Sequence, residues 1–335
     1  MSAATLSQSP PATDGPRPVN IRTDLAGIAD LIEVAFAATM DEAGRAAVRD
    51  LRTINSYGPL MLLVTGLNHV LGDVQSGFVW TEGGRIVGNV SVGLSDVPRS
   101  MGTGYVLANV ATHPDYRRRG IAKQLMEKSL DLIRRKGGKF AILQADMSNE
   151  SARALYRALG FREERFFGRW YRSAHRRVPP RLEEMPFITL RTGLEWRKEY
   201  ALARLVRPNE TGGLGWQRPT HPDLFRPSLM RALGMFVTGR SEKRWIVRSP
   251  DEREIVGALR VESAFGGVDR LELLVHPAYK GQLESPLINF ALRLGGDGFH
   301  ATTMEHPLDD VPVVQALERY EFERRYTTVS MKIDW

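Results

Sequence analysis

The sequence predicts an α+β (α/β) protein built from two successive units of one plan. Three observations carry that expectation. Strand-like and helix-like periodicities alternate along the first half, and the same order begins again after a polar, Pro-rich stretch at 174–186. Two landmarks also recur at nearly one spacing. His113-Pro114-Asp115-Tyr116 returns as His276-Pro277-Ala278-Tyr279, and Ala154–Phe161 (ALYRALGF) is echoed by Gln315–Phe322 (QALERYEF). A length of 335 residues suits two domains of about 150 residues each.

Residues 1–18 have no basic start and no apolar run, and read as an unstructured tail. Val19–Arg22 reads as a short strand. Asp24 is placed to cap a helix carrying Ile28, Leu31, Ile32, Ala35 and Phe36 on one face. The longest apolar run, Leu60–Val64, is far below the roughly 20 residues of a membrane span. Ser76–Thr81 and Arg85–Leu94 are strands joined by the turn TEGG (Thr81–Gly84). Tyr105–Thr112 is a strand, Ala122–Lys136 a helix with Leu125, Met126, Leu130 and Ile133 in register, and Phe140–Ala145 a strand, which makes a strand–helix–strand crossover. Helix Asn149–Leu159 and strand Phe166–Tyr171 close the unit at about residue 173, and 174–186 is the linker.

The second unit, 187–335, repeats the order. Strand Phe187–Arg191 and helix Leu194–Val206 precede a Gly/Pro-rich loop at 207–227. Strands Trp245–Arg248, Ile255–Glu262 and Leu271–Val275 follow, then helix Pro286–Leu294, strand Ala301–Met304, helix Val311–Glu318 and strand Tyr326–Ile333.

Composition narrows the chemistry. With no cysteine the chain has no disulfide, thiolate metal site or cysteine nucleophile, and its seven histidines form no HExxH pair, so no metal is expected. The formal charge is +7, but residues 113–177 hold 17 Lys and Arg against 7 Asp and Glu. Such a field suits phosphate groups or nucleic acid. No helix-turn-helix, zinc or RNA-binding signature is present, which favours the phosphates of a small molecule over nucleic acid. Nothing points to a membrane, and a cytoplasmic protein, monomer or homodimer, is expected.

The informative stretch is Val110–Met126, VATHPDYRRRGIAKQLM. A strand runs through a basic, Gly-containing turn into a helix, whose first N–H groups are unpaired and whose dipole is positive there. Gly120 and the small Ala122 let an anion approach the backbone. Arg117-x-x-Gly120-x-Ala122 resembles the pyrophosphate-loop signature of the GNAT superfamily of N-acetyltransferases. Asn149-x-x-Ala152-x-x-Leu155-Tyr156-x-x-x-Gly160-Phe161 resembles a second landmark of that family.

The resemblance implies two tandem GNAT-like domains, each with a mixed, mostly antiparallel sheet and a splayed cofactor cleft. It implies acetyl-CoA as co-substrate and an amine as acceptor. Backbone groups of Val110, Ala111 and Thr112 would pair with the pantetheine arm, and Arg117 would open the loop. Amides of Arg118, Arg119, Gly120, Ile121, Ala122 and Lys123 would wrap the pyrophosphate. Asn149 would contact pantetheine while capping its helix, and Tyr156, otherwise a core aromatic, would protonate the leaving thiolate. His113 reads as structural.

No carboxylate stands in Gly104–Asn109 to serve as general base. Asp96 and Asp146 are candidates that read equally as turn or cap residues, and a water relay or an amine bound neutral is preferred. A non-catalytic acetyl-CoA sensor or scaffold is the alternative from another class. An enzyme of the mycothiol-synthase kind is the other, although its second half is the catalytic one. Aligned on HPxY, the second unit puts Lys280, Leu283, Glu284, Ser285 and Pro286 at the loop positions, and Leu317 and Glu321 at those of Tyr156 and Gly160. One cofactor per chain is therefore expected.

Overall fold

The computed structural model describes residues 14–37, 48, 76–95, 101–214, 219–237, 239–264, 268–294 and 301–335. Asp96 and the apolar run Leu60–Val64 lie outside them. Strand β1 (Gly15–Pro18) pairs antiparallel with β2 (Ser76–Glu82), so residues 15–18 are an edge strand and not tail. Pro16 and Pro18 lack an N–H, which an edge strand tolerates.

The strand expected at Val19–Arg22 is instead a turn. Asn20 Oδ1 accepts from Arg22 N at 3.0 Å, and Asn20 O takes the amides of Thr23 and Asp24. Asp24 precedes helix α1 (Leu25–Ala35) without a side-chain cap bond; its carboxylate pairs with Arg17 at 2.6 Å and fastens β1 to the helix.

The β2–β3 hairpin, with β3 at Arg85–Leu94, turns through Gly83 and Gly84, both at positive φ, as the primed two-residue turn requires. β4 (Gly104–Thr112), α2 (Ile121–Arg135) and β5 (Phe140–Asp146) form the expected crossover, and β5 runs parallel to β4. Gly88 is required where α2 crosses β3, since a Cβ there would lie 2.6 Å from Ile121 and 2.9 Å from Leu125. Helix α3 (Glu150–Ala158) and β6 (Arg162–Arg172) follow.

The second half contains β7 (Ile188–Leu190), α4 (Trp196–Val206), α5 (Leu229–Val237), β8 (Arg240–Arg248), β9 (Ile255–Ala264), β10 (Asp269–Val275), α6 (Glu284–Arg293), β11 (Thr302–Pro307), α7 (Val311–Arg319) and β12 (Glu323–Asp334). Helix α5 is absent from the sequence reading. Its Leu229, Met230 and Phe236 are exposed, so it lacks the core-facing stripe that marks the other helices.

All twelve strands join in one sheet, in the order β1-β2-β3-β4-β5-β12-β6-β11-β10-β9-β8-β7. The halves therefore exchange their last strands. β12 lies between β5 and β6, and β6 lies between β12 and β11. Val329, Met331 and Ile333 of β12 join the core that α2 forms with β3 and β5, while Trp170 of β6 joins the core around Leu259, Leu287 and Leu317.

The recurring HPxY is a local structural unit. In each copy the histidine Nδ1 accepts the amide two residues on, from Asp115 at 3.4 Å and from Ala278 at 3.2 Å. The ring then meets the tyrosine edge-on, at 5.6 Å and 6.1 Å. His113 thus serves a 3₁₀ turn.

Candidate active site

Strands β4 and β5 pair only over Gly104↔Phe140, Tyr105↔Ala141 and Val106↔Ile142. Beyond Val106 they part, leaving a wedge that Val110, Ala111 and Thr112 line from the β4 side. A bulge within β4 bends it there: Ser91 pairs with Ala108 and Asn89 with Ala111, so one residue of β4 is extra. Asn109 sits in the left-handed region at φ 50°, where Asn is better tolerated than most residues.

Three polar side chains gather at the bulge. Asn89 Nδ2 donates to Asn109 O at 2.9 Å and to Ser91 Oγ at 3.3 Å, and Asn109 Nδ2 donates to Ser91 Oγ at 3.4 Å. Asn89 is fully buried and its Oδ1 has no hydrogen-bond partner among the described residues. The sequence reading missed this cluster; an Asn inside the apolar strand YVLANVAT was the available signal for a bulge.

At the head of α2 the chain alternates its handedness, with Arg117 extended, Arg118 at φ 65° and Gly120 at φ 75°. The helix has no side-chain cap and no acidic residue in its first turn. The first internal bond is Gln124 N to Gly120 O. Among the described residues, the amides of Arg118, Arg119, Gly120, Ile121, Ala122 and Lys123 find no acceptor. Successive free N–H groups around a left-handed kink form an anion-binding concavity. A Cβ on Gly120 would meet only Gln124 Nε2, at 3.8 Å, so the space above it is open.

The side chains there divide. Arg119 is engaged by Glu82 at 3.3 Å and lies 4.8 Å over the Tyr116 ring, and Lys123 faces Glu127 at 3.9 Å. Arg117 and Arg118 are exposed with no partner among the described residues.

Across the wedge, Asn149 caps α3 with Oδ1 on Ala152 N at 3.1 Å, which leaves its amide N–H groups free to donate. Tyr156 is 5% exposed and packs edge-on against Phe161 at 6.2 Å. Burial pushes its phenol up to about 12, and the hydroxyl makes no hydrogen bond among the described residues. The raised value keeps the phenol protonated at neutral pH.

Arg153, nearly buried, fixes this helix by bonding Glu163 at 2.8 Å, Glu150 at 2.9 Å and Met147 O at 3.1 Å. Asp146, the last residue of β5, anchors the turn that follows, with Oδ1 accepting from Ser148 N at 2.8 Å and Ser148 Oγ at 2.7 Å. The second half also reaches this wall, where Gln144 of β5 donates to Thr328 of β12 at 2.6 Å.

In the second half the matching features differ one by one. β10 pairs with β9 in unbroken register and has no bulge. The Gly281 amide is taken by the Glu284 carboxylate at 2.8 Å, Gln282 and Leu283 donate to Tyr279 O, and Pro286 has no N–H. Lys280, at the position of Arg117, bridges to Asp310, at the position of Asn149, at 2.9 Å.

Behind that bridge His306 is buried. Its Nε2–H donates to Asp310 Oδ2 at 3.0 Å, leaving Nδ1 to accept from Arg207 at 3.2 Å. Protein groups thus take the amides of Gly281, Gln282 and Leu283 and pair off Lys280.

Burial first, and the Arg207 cation second, push the His306 imidazole down to about 4. An unfolded histidine near 6.5 takes a proton that the folded one refuses. Stability is therefore expected to fall as pH drops from about 6.5 towards 4. Denaturant midpoints across that range should lose this slope in His306→Gln. Asp310, held low despite its burial mainly by its hydrogen bond to His306, loses its contribution only at lower pH. An unchanged slope in the variant would place the acid sensitivity elsewhere.

No helix among the described residues is long and apolar enough to cross a membrane. Residues 58–161 match the acetyltransferase (GNAT) family model. The first half of the chain thus carries an acetyltransferase domain of the GNAT superfamily.

Among similar proteins, N-alpha-acetyltransferase 30 of Schizosaccharomyces pombe is 32% identical over 94 residues, 28% of this chain and 62% of that protein. The ribosomal protein bS18-alanine N-acetyltransferase of Escherichia coli K12 is 40% identical over 57 residues, 17% of this chain and 38% of that protein. The chain thus spans less than two thirds of the length of these relatives. A tandem GNAT protein from the clavulanic acid biosynthesis pathway shares the fold at TM-score 0.59 and 14% identity, over 95% of this chain and 98% of that one.

Proposed function

We propose that the first half transfers an acetyl group from acetyl-CoA directly to an amine, both being held in one complex. The observation that carries this reading is the run of six unpaired amides at the head of α2, beside the wedge between β4 and β5. The amides take the pyrophosphate, and the exposed Arg117 and Arg118 add positive charge. The wedge takes the pantetheine arm against Val110, Ala111 and Thr112, with Asn149 on the far wall. Holding amine and thioester together removes much of the entropic barrier.

A neutral amine attacks the thioester carbonyl, the C–S bond breaks, and Tyr156 gives its proton to the thiolate. No cysteine is needed because no acyl-enzyme forms. Asp146 is occupied in its turn, so the amine's proton leaves through water. Asn89 Oδ1 and Ser91 Oγ at the bulge are polar groups suited to hold that water. The second half shapes the acceptor side through β12.

Since the chain has no cysteine, a thiol reagent reads released coenzyme A without background. Acetyl-CoA should be consumed with a panel of small amines, amino acids and peptides with free N-termini. Peptides deserve early trial because the relatives named above are N-terminal acetyltransferases. Acetyl-CoA binding with no release against any amine would support a sensor instead.

Tyr156→Phe is expected to lower turnover by about 10²–10⁴-fold. Acetyl-CoA affinity should stay nearly unchanged, since only the phenol proton is lost. Turnover equal to that of the native chain, with chemistry shown to be rate-limiting, would remove Tyr156 from the mechanism.

A further inference from the structure

The linker does more than join the halves. Asn289 Nδ2 of α6 donates to Pro180 O at 2.9 Å and Arg293 donates to Pro179 O at 2.8 Å, so residues 179–180 are fastened along the helix. Between that fastening and the start of β7 lies a half-open cavity of about 500 Å³. Met185, Ile188 and Phe290 give it an apolar floor, and Phe290 is backed edge-on by Trp245 at 5.7 Å. Phe187 stands at its edge, 82% exposed, an unusual position for a large apolar ring.

Two arginines, Arg181 and Arg293, also line the cavity, and among the described residues no carboxylate does. Arg181 has no hydrogen bond or ion pair among the described residues, and Arg293 spends only one N–H, on Pro179 O. Two arginines with no ion pair among the described residues, lining one cavity together with apolar side chains, match a carboxylate on an apolar body. Arginine binds carboxylate in two-point fashion, and the volume is that of a small-molecule site.

We propose that this cavity binds a small amphipathic organic carboxylate, its anionic group between Arg181 and Arg293 and its body on Ile188, Phe290 and Phe187. The site belongs to the second half and the linker, and it is independent of the acetyl-transfer reading.

Isothermal titration of the full chain with 3-phenylpropionate and with octanoate tests flat and linear bodies. At least one should saturate a single site per chain, while the corresponding neutral amide binds about tenfold or more weakly. Arg181→Met, at an exposed side chain with no recorded bond, should cut carboxylate affinity by a similar factor and leave the amide unaffected. Saturating acetyl-CoA should leave carboxylate binding intact. Absence of saturation by both carboxylates, equal binding of the amide, indifference to Arg181→Met, or displacement by acetyl-CoA would each overturn the site.

Discussion

Expressed alone, residues 1–173 are expected to give no folded monomer. The isolated half would lack β12, which pairs with β5 on one edge and β6 on the other over most of their length. It would also lose Val329, Met331 and Ile333 from its core. Each buried side chain of that kind contributes about 1.5–3 kcal/mol. Three of them, with two rows of strand hydrogen bonds, match the roughly 5–15 kcal/mol of net stability of a typical domain. β6, which pairs with β12 and β11, would lose both partners, and the bared edges of β5 and β6 would also invite aggregation.

The converse experiment separates connectivity from composition. A chain cut within the exposed linker near Arg176 and Arg177 should keep its fold, because the exchanged strands hold the halves together. Far-ultraviolet dichroism, dispersion of amide resonances and gel filtration report both results. A soluble, cooperatively unfolding monomer from residues 1–173 would show that β12 is dispensable.

What the sequence reveals follows the range of the interaction. The hairpin at Gly83-Gly84, the HPxY turns and the helix start at Gly120 depend on neighbours a few residues away, and their letters predict them. The exchange of β6 and β12 depends on which of two similar strands wins a place in the sheet. Both alternate buried and exposed residues, and both follow a helix of the same pattern, so nothing local states the partner.

The shift of the first strand to Gly15–Pro18 has the same cause. Prolines argue against a strand in general, and only the edge position makes them acceptable. In the candidate site, the residues at the head of α2 lie on the crossover and Asn149 and Tyr156 on the helix that follows it, so local pattern gives their positions. Arg153, whose Glu163 partner is ten residues away, and the Gln144–Thr328 bond across 184 residues needed the folded chain. Asn89 and Ser91 read as polar strand residues until the bulge brought Asn109 to them.

Gly120→Glu is expected to abolish acetyl-CoA binding while leaving the fold intact. The backbone at 120 has φ 75°, so any side chain costs about 1–2 kcal/mol of strain. Arg118 already bears such a conformation two residues earlier, and a Cβ at 120 meets no atom closer than 3.8 Å. A carboxylate at the head of a helix is itself favourable, since the dipole and free amides stabilise it.

The second half shows the consequence of a built-in carboxylate at such a loop. There Glu284 accepts the Gly281 amide at 2.8 Å and stays buried, 1% exposed. The new glutamate would likewise claim donors meant for pyrophosphate and repel its charge. A loss of several charge-assisted hydrogen bonds corresponds to at least about a hundredfold in affinity.

Gly120→Ala separates strain from charge, because it carries the same φ penalty without the carboxylate, and it should bind measurably better than the glutamate variant. Calorimetry of the native chain should show close to one acetyl-CoA per chain. An affinity unchanged in a folded Gly120→Glu protein would move the phosphate site away from α2. A stoichiometry near two would mean that Lys280, Asp310 and His306 yield their cleft to the ligand.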